Sequence, residues 1–367
     1  MQFEISRETL IKPLQLVTGV VERRQTLPVL SNVLLVLDGN QLSMTGTDLE
    51  VELIGRVAVE EVGQGGEVTV PARKLMDICK SLPDSASLKF ELDDNKLVIR
   101  SGRSRFSLST LPPSDFPSVD ESSEALAFSI SQARLKEMLD STSFAMAQQD
   151  VRYYLNGLLF EVSPNFLRVV ATDGHRLAMD TENMNTPIDK ALQVIVPRKG
   201  ILELARLLAD GDESVDITVG ANHIRAKTSN FTFTSKLVDG KFPDYDRVLP
   251  KGGDKKIIAD RNELRQSLSR TAILSNEKFR GIRLTLLNDE IKILANNPEQ
   301  EEAEEIVPVE YTGDSLEIGF NVSYLVDVLT VLDSDTVQLI VSDPNSSALI
   351  QAEENSSALY VVMPMRL

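Results

Sequence analysis

The chain has 367 residues, 38 basic and 55 acidic, for a formal net charge of −17. Its length predicts several domains, and an apolar share of 42% is enough to build their cores. The acid excess argues against a simple basic nucleic-acid-binding module and against anionic membrane surfaces, and the lone cysteine, Cys79, excludes a disulfide scaffold or a cysteine-rich zinc site. No apolar run approaches the roughly 20 residues of a membrane helix. The start, MQFEISRETL, lacks the apolar core of a signal peptide, which predicts a cytosolic protein. Trp is absent and aromatics are 5%, against extended base-stacking platforms.

In chain order, FEISRETLIKPLQLVTGVV from Phe3 reads as a short strand and a helix, with Ser6 as N-cap. NVLLVLDGNQLSMTGTDLEVEL follows as a hairpin-like stretch with Asp38-Gly39 as its turn. A second helix, PARKLMDICKSL, carries Leu75, Ile78, Cys79 and Leu82 at i, i+3, i+4, i+7. SLKFELDDNKLVIRSGRSRFSLSTL then supplies two more strands. The same order recurs twice. Ser131 caps the helix of FSISQARLKEMLDSTSFAM, and Asp260 with Glu263 forms a capping box in IIADRNELRQSLSRTAIL. Ile201, Leu204, Ala205 and Leu208 repeat the apolar stripe, as do Leu325, Val328, Leu329 and Leu332. Thr47-Asp48 aligns with Thr172-Asp173 and, more loosely, with Asn296-Asn297. The prediction is α+β, three repeated domains of two helices each on antiparallel sheet, over 1–125, 126–250 and 251–367.

Catalytic motifs are sparse. The two histidines, His175 and His223, form no metal pair, and no phosphate loop, dinucleotide fingerprint or nucleophile elbow occurs. Cys79 lies on an apolar stripe and reads as a structural thiol. The strongest enzyme reading is a hydrolase using Asp173 and His175 of TDGHR. Another is an acidic protein-binding scaffold without DNA.

Charge is unevenly placed: the three repeats carry −6, −2 and −9. Basic pairs recur at the starts of the central helices, Arg73-Lys74 and Arg198-Lys199, with Arg23 and Arg24 at the end of the first helix. Recurrence predicts a shared electropositive face for a polyanion. Glu299, Glu301, Glu302, Glu304 and Glu305 stand in the third repeat, against Lys74, Arg103 and Arg105 beside Ile78, Phe106 and Leu108 in the first. Opposite charges at the two ends predict head-to-tail self-association.

The stretches RRQTLPVLSNVLL, TGTDLEVE, SGRSRFSLSTLP, QDVRYYLNG, ATDGHRLA, VIVPRKG, FTSKLVDGKFPDY, ILSNEKFRG, NNPEQEEAEE and YVVMPMRL together resemble the bacterial DNA polymerase III beta subunit family, the sliding clamps, over essentially the whole chain. The resemblance implies the DNA-clamp fold and a head-to-tail ring dimer around duplex DNA. It implies a non-enzymatic, cytoplasmic, nucleoid-associated processivity factor with no cofactor and no metal. It implies DNA contacts at Arg24, Arg73, Gln149, Tyr153 and Tyr154, with Arg198 and Lys199 beside them. Gln148 departs from the His of a relative, which leaves its role open. A partner-peptide pocket is implied at Leu155, Thr172, Gly174, His175, Arg176, Leu177, Pro243, Arg247, Val248, Asn321, Tyr324, Val361, Val362, Met363, Pro364, Met365 and Arg366. The implied dimer interface pairs Lys74, Ile78, Arg103, Arg105, Phe106 and Leu108 with Ile273, Leu274, Glu299, Glu301, Glu304 and Glu305. Implied partners are the replicative polymerase alpha subunit, the clamp loader, translesion polymerases, mismatch-repair proteins and DNA ligase, through short peptides, and no membrane.

Overall fold

The computed structural model describes residues 1–21, 27–117, 119, 126–354 and 356–366. The first repeat runs β1 (Gln2–Ser6), α1 (Arg7–Val20), β2 (Asn32–Asp38), β3 (Gln41–Thr47), β4 (Val51–Ala58), β5 (Glu61–Gln64), β6 (Gly66–Pro71), α2 (Ala72–Ser81), β7 (Ser87–Asp93), β8 (Lys96–Ser101) and β9 (Ser104–Ser109). The second runs β10 (Leu126–Ser131), α3 (Gln132–Thr142), β11 (Gly157–Ser163), β12 (Phe166–Thr172), β13 (Arg176–Asn183), β14 (Leu192–Pro197), α4 (Arg198–Leu207), β15 (Ser214–Val219), β16 (His223–Lys227) and β17 (Phe231–Lys236). The third runs β18 (Lys255–Asp260), α5 (Arg261–Thr271), β19 (Gly281–Leu287), β20 (Glu290–Asn296), β21 (Glu302–Glu310), β22 (Leu316–Asn321), α6 (Val322–Val331), β23 (Thr336–Val341), β24 (Ala348–Gln351) and β25 (Ala358–Val362).

The helices form where the apolar periodicity places them. Leu75 and Cys79 of α2, and Leu325, Val328 and Leu329 of α6, are buried on one face each. The caps also stand: the side chains of Ser6, Ser131 and Asp260 accept from the N–H of Thr9, Arg134 and Glu263. Burial pushes the Cys79 thiol up to about 12, as suits a packing residue.

Two expectations are corrected. Three strands, not two, follow each central helix. The third of them, in the second and third repeats, pairs with a strand of the preceding repeat, β17 with β4 and β25 with β13, and such long-range pairing leaves no local mark in the sequence. The first hairpin turns one residue later than expected. Asp38 pairs with Gln41, so Gly39 and Asn40 are the turn, and Gly39 takes the φ of +56° that glycine adopts without strain.

By compactness the chain divides into two units: Met1–Arg134 with Leu202–Leu237, and Leu135–Ile201 with Val238–Leu367. Sheet pairing is the cause. The first unit holds the sheet β5-β1-β7-β8-β9 and the sheet β10-β15-β16-β17-β4-β3-β2-β6, in which β17 of the second repeat joins β4 of the first. In that unit α1 lies on β3 and β4 so closely that a Cβ at Gly46 would stand 2.8 Å from the Val17 carbonyl. The second unit holds the twelve-stranded sheet β14-β11-β12-β13-β25-β24-β23-β18-β21-β20-β19-β22, in which β13 of the second repeat joins β25 of the third. No helix among the described residues is long and apolar enough to cross a membrane.

Candidate functional site

Every implied pocket residue lies in the second unit. Its foundation is the β12–β13 turn. The Thr172 hydroxyl donates to the Arg176 carbonyl at 2.6 Å and accepts the Gly174 N–H at 3.1 Å. Asp173 Oδ1 accepts the N–H of His175 at 2.9 Å and of Arg176 at 3.0 Å. Thr47 and Asp48 close the β3–β4 turn with the same set of bonds, to Val51, Leu49 and Glu50. The first position with positive φ differs: Leu49 at +78°, Gly174 at +90°. Gly174 adopts its φ of +90° without strain, and a Cβ there would press on the Arg152 guanidinium at 3.0 Å.

Arg176 holds the wall together. Its guanidinium donates to Asp173, Asp327 and, at 2.9 Å, the Phe144 carbonyl. It lies 4.5 Å from the Tyr324 ring centroid and 5.1 Å from that of Phe144. Tyr324 stacks on exposed His175, and burial, with Asp173 nearby, raises its hydroxyl pKa. Asn321 caps α6, accepting the Ser323 N–H at 2.9 Å.

The floor is apolar. Leu159, Val170, Leu177, Met179, Ile195, Phe242, Tyr245 and Val361 are buried together, with Tyr154, Val248 and Leu349 packed against them. Leu155 and Val362 are buried close by in sequence, whereas Met363, Pro364 and Met365 are half-buried and Arg366 is exposed. β25 therefore ends at Val362, and the chain continues as a rim fixed by Met363 N–H to His175 carbonyl at 2.9 Å and Met365 N–H to Gly319 carbonyl at 2.9 Å. Pro243 and Arg247 are exposed, and Arg247 pairs with Asp244 at 2.8 Å. Phe242 and Tyr245 belong to KFPDY, a stretch whose Pro and Asp mark it as a linker in sequence.

Hydrolysis by Asp173 and His175 has no geometry here. Both Asp173 oxygens serve the turn and Arg176, and the imidazole faces Tyr324. No cluster of metal-ligating side chains occurs among the described residues.

Of the implied DNA contacts, Arg24 lies outside the described residues, as does Arg23. Arg73 is exposed at the start of α2. Gln148, Gln149 and Tyr153 are exposed on the loop before β11, and Tyr154 is half-buried in the apolar floor. That loop closes on itself: Asp150 N–H donates to Asn156, and Asp150 takes a two-pronged bond from Arg152 that lowers the carboxyl pKa to about 2. Arg152 also donates to the Asp173 carbonyl at 3.2 Å, tying loop to turn. Lys199 is half-buried. Arg198 turns inward to the carbonyls of Ser143 and Met146, each at 3.4 Å, and burial lowers its pKa.

The implied interface residues fall on exposed edges. Lys74, Arg103 and Arg105 are exposed, Ile78 and Phe106 half-buried, and Leu108 buried. Ile273 is 75% exposed and Leu274 half-buried. Among the acids, Glu299 and Glu301 are exposed, and Asn297 donates to Glu301. Glu304 pairs with Lys292 at 2.7 Å, and Glu305 with Arg270 at 2.7 Å.

Three repeats of two helices on antiparallel strands, joined by sheets that run from one repeat into the next, define a protein of the DNA-clamp fold class. Family models confirm this repeat by repeat. Residues 1–120, 129–244 and 246–366 match the N-terminal, central and C-terminal domains of the DNA polymerase III beta subunit. The chain is 65% identical to the beta sliding clamp of Pseudomonas aeruginosa and 52% identical to that of Escherichia coli, each over the full length of both chains. A crystal structure of the Pseudomonas aeruginosa clamp bound to griselimycin superposes with a TM-score of 0.98 at 65% identity, covering both chains completely. The chain belongs to the DNA polymerase III beta subunit family.

Proposed function

We propose that two copies of this chain close head to tail into a ring around duplex DNA, where the chain acts as the sliding clamp of a replicative polymerase. Strand pairing carries this reading. β17 pairs with β4, and β25 pairs with β13. The third-repeat strand in the place of β4 and β13 is β21. Beyond β20 it meets only β18, at Val309 and Glu310, so residues 302–308 keep a free edge among the described residues. The strand in the place of β17 and β25 is β9, a sheet edge. Carrying the β17–β4 register onto this pair sets Arg105 opposite Glu304 and Phe106 opposite Ala303. Opposite charges and two open edges favour this closure. Lys74, Ile78, Arg103 and Leu108 join one side, with Ile273, Leu274, Glu299, Glu301 and Glu305 on the other.

DNA is held without base readout, by phosphate contacts from Arg24, Arg73, Gln149, Tyr153, Tyr154, Arg198 and Lys199. Enclosure rather than affinity gives processivity. The apolar floor and adaptable Met363 and Met365 suit short peptides from the polymerase alpha subunit, the clamp loader and repair proteins. The domains span 1–125, 126–250 and 251–367, the protein is cytoplasmic, and it has no catalytic site of its own. Sedimentation at micromolar concentration tests closure: a mass twice 40.6 kDa is expected, and a strict monomer refutes it.

A further inference from the structure

The floor of the partner groove has a counterpart in the first unit, and that counterpart carries polar and charged residues beside apolar Leu34, Phe116 and Pro117. In the second unit Val170 pairs with Met179, Leu177 with Val361 and Val361 with Leu349. In the first, the same register positions pair Thr45 with Ile54, Glu52 with Thr234 and Thr234 with Arg225. Three aliphatic pairs become Thr–Ile, Glu–Thr and Thr–Arg. They line a cleft of about 310 Å³ that Arg56 and Lys227 also enter.

Among the described residues, three cations thus line the cleft with one carboxylate, in a chain of net charge −17. Arg56 donates to Thr232 at 2.8 Å. Thr234 is 2% exposed, yet its hydroxyl has no hydrogen-bond partner. Such a group is costly to bury unless a bound group satisfies it. Glu52 is 8% exposed. Burial raises its pKa, against the opposing Val119 N–H and Arg225 charge.

We propose that this cleft is a second binding site, for a carboxylate held by Arg56 and Arg225 and hydrogen-bonded by Thr234. The carboxylate comes either from a free small dicarboxylic acid or from an acidic side chain of a partner peptide. Arginine's fork suits the group, and a singly charged carboxylate meets less repulsion from Glu52 than a phosphate dianion does.

Titration calorimetry on the full-length protein tests the site with three probes: glutarate, a blocked pentapeptide of Asp and Ser, and inorganic phosphate. Saturable binding of glutarate alone assigns the free acid, and of the peptide alone the side chain. In either case Arg225→Leu and Thr234→Val, which install the second unit's residue types, weaken binding by about tenfold or more. Arg225→Lys, which keeps the charge and loses the fork, weakens it less, and reports on the site even if the leucine variant is poorly folded. No saturable binding of either carboxylate overturns the proposal. So does phosphate binding at least as tightly, or affinity unchanged in Arg225→Leu and Arg225→Lys.

Discussion

Asp48 and Asp173, 125 positions apart in the sequence, hold the same turn by the same bonds, each Oδ1 accepting the N–H groups two and three residues on. One turn is built twice, but only the second faces the apolar groove. Its differences follow from that use: glycine at 174 admits Arg152, and His175 and Arg176 form the wall.

Arg176→Ala removes bonds to Asp173, Asp327 and Phe144 from a side chain 12% exposed. Breaking such a set costs about 3 kcal/mol. Thermal unfolding should fall accordingly, and affinity for a short polymerase-tail peptide should fall with it. Arg176→Lys should not restore the peptide affinity, because an ammonium cannot reproduce the planar fork over Tyr324.

Gly174→Ala should destabilise by more than about 1 kcal/mol, since φ is +90° and Arg152 occupies the space a Cβ needs. Chemical denaturation of Gly174→Ala alone and combined with Arg152→Ala separates the causes. The double variant should recover the steric part and retain the backbone part.

Alkaline pH should loosen the fold through Cys79 and Tyr245. Burial raises the Cys79 pKa from 9.0 to about 12. Burial, then the bond to Glu161, raises that of Tyr245 from 10.0 to about 12. Above the unfolded value the folded state binds more protons, so stability falls with pH. The slope per group is about 1.4 kcal/mol per pH unit inside its window. The loss begins near pH 9 with Cys79, and Cys79→Ala should flatten the curve between pH 9 and 10. An unchanged slope there would refute the assignment.

Arg105→Glu should split the dimer, and Glu304→Arg in the same chain should restore it if the carried register holds. Equal dissociation in the single and double variants would place these residues out of register.

The helices were legible because burial every three to four residues writes itself into α2, α4 and α6, and because Ser6, Ser131 and Asp260 cap locally. The joins between repeats were not: β4 meets β17 across 176 or more positions, and alternation within either strand says nothing of its partner. In the groove, the resemblance supplied Arg176 and Tyr324, but Phe144, Asp327 and Arg152 carry no local signal and come together through tertiary contacts. The polar cleft was hidden for the same reason, since Thr45, Glu52, Arg225 and Thr234 sit on four strands of two repeats.

Retention on DNA of different topology tests enclosure most directly. Clamp loaded on nicked circular duplex should stay bound through gel filtration and leave within the same run once the circle is cut. Equal loss from circular and linear DNA would contradict a closed ring and leave binding to affinity alone.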